Sequence, residues 1–149
     1  MDERQGRKPT DALARAVGLL ARREHSQREL VRKLEQRGFA EADIDAALRR
    51  LQGEGLQDDT RFAEMLVRSR IAAGQGPLRI RAELVTHGLG DGAIEAALAA
   101  EPVDWLEAAQ RAIARRFDLD DPQQRRKAIE FLLRRGFTLD TARAAAAPP

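Results

Sequence analysis

The chain has no cysteine and no tyrosine among its 149 residues. Without thiols there is no disulfide framework and no cysteine-based zinc site, which fits a cytoplasmic protein. Aromatic residues make up only 4%, so a platform of rings for stacking single-stranded bases is not expected. Trp105 and Phe117 are expected in the core of the last third instead. The two histidines, His25 and His87, are expected at the surface or in turns. No apolar run approaches the roughly 18 residues of a membrane span. No Walker loop or dinucleotide glycine fingerprint occurs, and Ser26 and Ser69 have no evident base partner. Asp58 and Asp59 read as helix caps rather than metal ligands. No catalytic residue, metal or cofactor is therefore expected, and no window alternates as a strand would.

What the chain does have is repetition. Leu30, Leu34, Gly38, Phe39, Ile44 and Leu48 set a frame. It returns as Ile80, Leu84, Gly88, Leu89, Ile94 and Leu98, and again as Ala128, Leu132, Gly136, Phe137, Ala142 and Ala146. Self-similarity at a fixed period indicates stacked copies of one supersecondary unit. The apolar spacing within each copy is helical, and the glycine suits the left-handed residue that ends a helix. The expected fold is all-α: three tandem three-helix, helix-turn-helix-like repeats in an elongated, curved array. Residues 1–10 are expected to be a disordered arm, followed by repeats at 11–55, 56–101 and 102–147. Helices are predicted near 11–23, from Ser26 to Gly38, and over 41–52 in the first repeat. Leu13, Val17 and Leu20 are the expected core face of the first, and Ser26 and Glu29 have capping-box spacing. In the second, Phe62, Leu66, Leu84 and Leu98 are expected inward, and Gly74-Gln75-Gly76 reads only as a helix-ending turn. In the third, helices are predicted near 103–117, 122–135 and 138–147. The last is poor in large apolar residues.

The net charge is only +2, but the charge is distributed in blocks. Residues 15–37 carry seven basic and three acidic side chains, and residues 61–81 carry five and one. Residues 82–107 carry six acidic side chains and no Lys or Arg. Most of the cations are arginine, which suits bidentate contact with phosphate or carboxylate. The candidate binding residues are Arg68, Arg70, Arg79 and Arg81, brought together by the turn at 74–77, together with Arg61, Arg28 and Arg32. Arg70 is also open to pairing with Asp58 or Glu64, and the Arg68 stem to covering apolar surface. An autonomous DNA-binding helix-turn-helix array is one reading of such a chain.

Three blocks sharpen this. ALARAVGLLARREHSQRELVRKLEQRGF, LQDDTRFAEMLVRSRIAAGQGPLRIRAELVTHGL and FLLRRGF, in that order, resemble the RecX family of bacterial recombinase regulators. The resemblance spans about residues 11–140 and is most specific in the middle block. It implies a modular chain of three-helix repeats that binds RecA along the groove of the RecA–DNA filament. It further implies suppression of RecA ATPase and strand exchange, in homologous recombination, DNA repair and the SOS response. Alongside it, a monomer with possible weak DNA binding of its own and no membrane association is expected.

Overall fold

The computed structural model describes residues 9–149. Among the described residues there are nine helices and no strand. They are α1 (Pro9–Arg22), α2 (Gln27–Gln36), α3 (Glu41–Gly53), α4 (Asp59–Ala72), α5 (Pro77–Thr86), α6 (Asp91–Ala100), α7 (Trp105–Ile113), α8 (Pro122–Arg134) and α9 (Leu139–Ala145). The expected arm at 1–10 lies outside the described residues apart from Pro9 and Thr10, which open α1. Two compact units result, one ending at Ala63 and the other running from Glu64 to Pro149. The boundary falls inside α4.

The glycine frame is built as predicted. Gly38, Gly88 and Gly136 follow α2, α5 and α8 with φ of 83°, 80° and 95°. After each, the apolar residue of the frame donates its N–H five residues back: Phe39 to Leu34 O, Leu89 to Leu84 O and Phe137 to Leu132 O. This Schellman closure satisfies helix-end carbonyls and turns the apolar residue inward. Side-chain caps start the intervening helices. Ser26 Oγ accepts from Glu29 N–H, Asp58 Oδ1 from Thr60 and Arg61 N–H, Asp104 from Glu107, Asp121 from Gln123 and Thr138 from Thr141. α7 is shorter than predicted, because the chain turns at residues 114–116, where Arg115 has φ of 65°. It is the one non-glycine with positive φ among the described residues.

In the first unit Ala16, Leu30, Leu34, Ile44, Leu48 and Leu51 form the core, edged by Leu13, Leu20 and Phe39. Val17, expected inward, is exposed, because α1 packs through its alanines Ala12 and Ala16. His25 is also not a surface residue: it is 2% exposed. Its Nδ1 lies 3.0 Å from Arg23 O and its Nε2 3.0 Å from Lys33 Nζ. A carbonyl accepts and an ammonium donates, so the ring is neutral, protonated on Nδ1. Burial, outweighing the Arg23 carbonyl, pushes its pKa below the usual 6.5. Buried Gln57 donates to His25 O and to Asp59 Oδ1, and Asp59 also accepts from Gln27 N–H. Asp58 therefore caps α4, and Asp59 ties the start of α4 to the start of α2.

In the second unit, Leu66, Ile80, Leu84, Leu89, Ile94 and Ala97 are buried, while Leu98, expected inward, is half-buried. The last three helices close around Ile113, Leu132, Phe137 and the alanines 108, 109, 128, 142, 145 and 146. α9, though poor in large side chains, is docked: small residues let it approach closely, and Ala142 and Ala146 are almost fully buried. Trp105 packs edge-on to Phe137 at 6.4 Å, and Phe117 lies 5.8 Å from Phe131, so both serve the core as expected.

The turn at 74–76 does more than end a helix. Gly76 N–H donates to Arg135 O at 2.7 Å, and Leu78 N–H to Gly136 O at 2.9 Å. A Cβ on Gly76 would stand 2.5 Å from Gly136 C and Phe137 N, and one on Gly136 would stand 2.4 Å from Arg79 Cβ. Two backbones meet there with no space for a side chain. At Gly74 a Cβ would meet nothing, although φ is 83°. Gly76→Ala is therefore expected to lose about 3 kcal/mol, as overpacking against backbone does, and Gly74→Ala only about 1 kcal/mol from its positive φ. Chemical denaturation of the two variants checks the order.

A second expectation follows from His25. Its lowered pKa means that its share of stability is full above pH 6.5 and is lost as pH falls from 6.5 toward the folded-state value. Denaturation across pH 7.5 to 5 should show this loss, and His25→Gln should be flatter over the same window. The lowered carboxyl of Glu29, where Arg23 hydrogen bonds and the neighbouring cations overcome burial, contributes its own loss only below its usual 4.5.

Candidate partner-binding site

The seven arginines singled out in the sequence fall into two groups. Arg28 and Arg32 lie one turn apart on α2, exposed, and Arg61 is exposed near the start of α4. Arg61 is engaged: its Nε donates to Glu24 Oε1 at 3.0 Å and its Nη2 to Gly55 O at 2.7 Å. These three belong to the first unit.

Arg68, Arg70, Arg79 and Arg81 all belong to the second unit, flanking the 74–76 turn. Four equivalent cations do not result. Arg70 grips Glu83, Nε to Oε2 at 2.7 Å and Nη2 to Oε1 at 2.7 Å, a fork-to-fork pair between α4 and α5. The open alternative of Arg70 pairing with Asp58 or Glu64 gives way to this one, because the chain after the glycine turn brings the Glu83 side chain of α5 within its reach. Arg81 is paired with Glu95 of α6. Those two arginines brace helices. Arg68 and Arg79 are exposed and make no ion pair among the described residues.

Three further arginines surround a cleft in the same unit, and two of them escaped the sequence reading. Arg111, Arg116 and Arg135 line a space of about 320 Å³ between the end of α4 and α7 and α8. Arg135 lies within the FLLRRGF block, where its spacing marks no site. Arg111 and Arg116 carry no motif: what brings Arg116 over Phe131 is the left-handed Arg115, a backbone choice that nothing in the residue type announces.

Comparison with known proteins decides the family. Family models for the first, second and third three-helix domains of RecX match residues 12–51, 58–98 and 103–145. The chain belongs to the RecX family. Among its relatives are proteins named Regulatory protein RecX. That of Xanthomonas axonopodis pv. citri (strain 306) is 56% identical over 134 residues, covering 88% of this chain and 83% of that protein. That of Stenotrophomonas maltophilia (strain K279a) is 52% identical, covering 88% and 82%. A crystal structure of regulatory protein RecX superposes with a TM-score of 0.75 at 27% identity, covering 89% of this chain and 70% of that one. RecX from Lactobacillus salivarius superposes at 0.76 with 23% identity, covering 92% and 93%, and shows the shared fold. Relatives so named are regulators. Among the described residues no group of acidic or histidine side chains could hold a metal, and no helix is long and apolar enough to cross a membrane.

The Arg70–Glu83 pair gives a specific expectation for this RecX chain. Hydrogen bonds from Arg70, outweighing burial, hold the Glu83 carboxyl below its usual 4.5. Its stabilisation is present above pH 4.5 and is lost as pH falls through the lowered value. Glu83→Gln should cost about 1 kcal/mol at pH 7, allowing for partial exposure. The difference from the unaltered chain should shrink in denaturation as pH falls below 4.5.

Proposed function

We propose that this chain regulates RecA: it binds RecA and the RecA–DNA filament and suppresses ATPase, strand exchange and filament growth. The observation that carries this reading is the in-order match to all three RecX domains. The chain acts by binding and has no turnover of its own. Arg68 and Arg79 are its first candidate contacts, since both are exposed and neither is spent on an ion pair among the described residues. Arg70 and Arg81 support them by bracing α4, α5 and α6. Arg28, Arg32 and Arg61 are secondary candidates from the first unit.

Charge complementarity predicts the outcome of reversal: a glutamate facing a required acidic surface repels it. Arg68→Glu plus Arg79→Glu should leave the helical fold intact and abolish suppression of RecA ATPase on single-stranded DNA. Reversing Arg81 is a poorer test, because it would set two carboxylates against each other at Glu95. Arg49→Glu plus Arg50→Glu is the control and should retain suppression, since the Arg50–Glu54 pair it removes is exposed and worth little. Full suppression by the first double variant would remove these arginines from the interface. Binding to free DNA that equals binding to filaments, with the same salt dependence, would favour an autonomous DNA-binding array.

A further inference from the structure

The cleft bounded by Arg111, Arg116 and Arg135 has the features of a binding site. It lies within the second unit and has a volume of about 320 Å³. Its floor is small and apolar, including Ile71, Ala72, Ala108 and Ala112. Phe131 stands in its wall with two cations on it: the Arg116 guanidinium is 5.1 Å from the ring centroid and that of Arg135 is 4.9 Å. Arg135 Nη1 also reaches Ala73 O at 3.5 Å, and the Arg135 carbonyl accepts from Gly76 N–H. The glycine contact therefore fixes where this arginine stands. None of the three arginines has a carboxylate at ion-pair distance among the described residues. Three cations lining one small space repel each other, and an incoming anion relieves that repulsion.

The floor decides what kind of anion. A phosphate backbone is usually met by polar side chains and backbone N–H groups as well as cations. Here the lining between the cations is Ile71, four alanines, the Phe131 ring and the main chain at Gly74, with no polar side chain besides the arginines. Arginine pairs a carboxylate bidentately, and a pocket of this size and lining takes an aliphatic or aromatic side chain. We infer that the cleft docks an acidic segment of a partner protein, seating an apolar side chain on the alanine floor with flanking carboxylates on Arg111, Arg116 and Arg135. Taking that partner to be the filament protein rests on the function proposed above. The chemistry of the cleft does not.

Two variants and two readouts test it. Arg111→Glu plus Arg116→Glu reverses exposed charges. Ala72→Glu places a carboxylate inside the cleft, where it competes with the ligand and compensates the arginines, so its melting temperature should not fall. The direct probe is a fluorescein-labelled peptide of alternating glutamate and leucine. It should bind the unaltered chain and lose at least tenfold in affinity for both variants, with a single-stranded oligonucleotide of equal charge competing poorly. The second readout is RecA ATPase suppression, whose midpoint should rise at least tenfold for both variants. Peptide binding without any RecA suppression by the unaltered chain would overturn the proposed function and uphold the cleft. Peptide binding and suppression both unchanged in folded variants would overturn the cleft and uphold the function. Oligonucleotide binding that displaces the peptide and falls in parallel with it would assign the cleft to phosphate and overturn the inference.

Discussion

Gly76 and Gly136 bring two stretches of main chain into contact with no side chain between them, and much of the second unit depends on that contact. Two backbone hydrogen bonds cross it, Gly76 to Arg135 O and Leu78 to Gly136 O. In helices without side-chain caps, the first N–H groups need partners, and α5 finds two of its own here. The same contact places Arg79 against Gly136 and holds the main chain of Arg135 in place. One constraint thus couples the start of α5 to the end of α8 and positions cations on both. Gly136 is doubly determined, by its φ of 95° and by the absent Cβ, whereas Gly74 is determined by φ alone.

The arginines divide by what they are already bound to. Arg70 and Arg81 each hold a carboxylate on a neighbouring helix, so their contribution is to the relative placement of α4, α5 and α6. Arg70 commits its Nε–Nη2 edge to Glu83, and Arg81 commits one N–H group to Glu95. Among the described residues Arg68 and Arg79 remain outside such pairs, and so do Arg111, Arg116 and Arg135, two of them held on Phe131 by attraction to its ring face. The acidic stretch from 82 to 107 accounts for the difference. Glu83 and Glu95, which look like solvated charge in the sequence, are the partners that consume two of the four arginines around the turn.

Much of the fold could be read in advance because its signals are local. The Leu30–Leu34–Gly38–Phe39 spacing encodes a helix, a left-handed stop and an inward anchor within ten residues. All three copies are built that way. Caps at Ser26, Asp104, Asp121 and Thr138 are equally local. Failures came where a residue's role is set by a distant one. Val17 has the right period for a core residue, but alanine-mediated packing of α1 rotates it outward. His25 does lie in the connection between α1 and α2, but it is buried, through contacts with Lys33 and with Gln57, which lies 32 positions away. The turn at 74–76 looks complete in itself, yet its second glycine is required by residue 136, sixty positions on. Arg111 and Arg116 were not legible for the same reason, with the added obstacle that Arg115 adopts a conformation its side chain disfavours.

A net charge of +2 would seem to argue against recognition of any polyanion or acidic surface. It does not, because electrostatic influence at physiological ionic strength reaches only about 8 Å before screening takes over. At that range a binding surface responds to the charges beside it, not to the sum over the chain. Acidic side chains drawn into pairs, such as Glu83 with Arg70, cancel locally, and they cancel at positions that also brace the helices. What remains around the cleft is a concentration of positive charge on a frame made rigid by a glycine–glycine contact. Two of its three cations are already held, Arg116 and Arg135 on the Phe131 ring and Arg135 also by Ala73 O, so a ligand meeting those two would have little further side-chain freedom to remove.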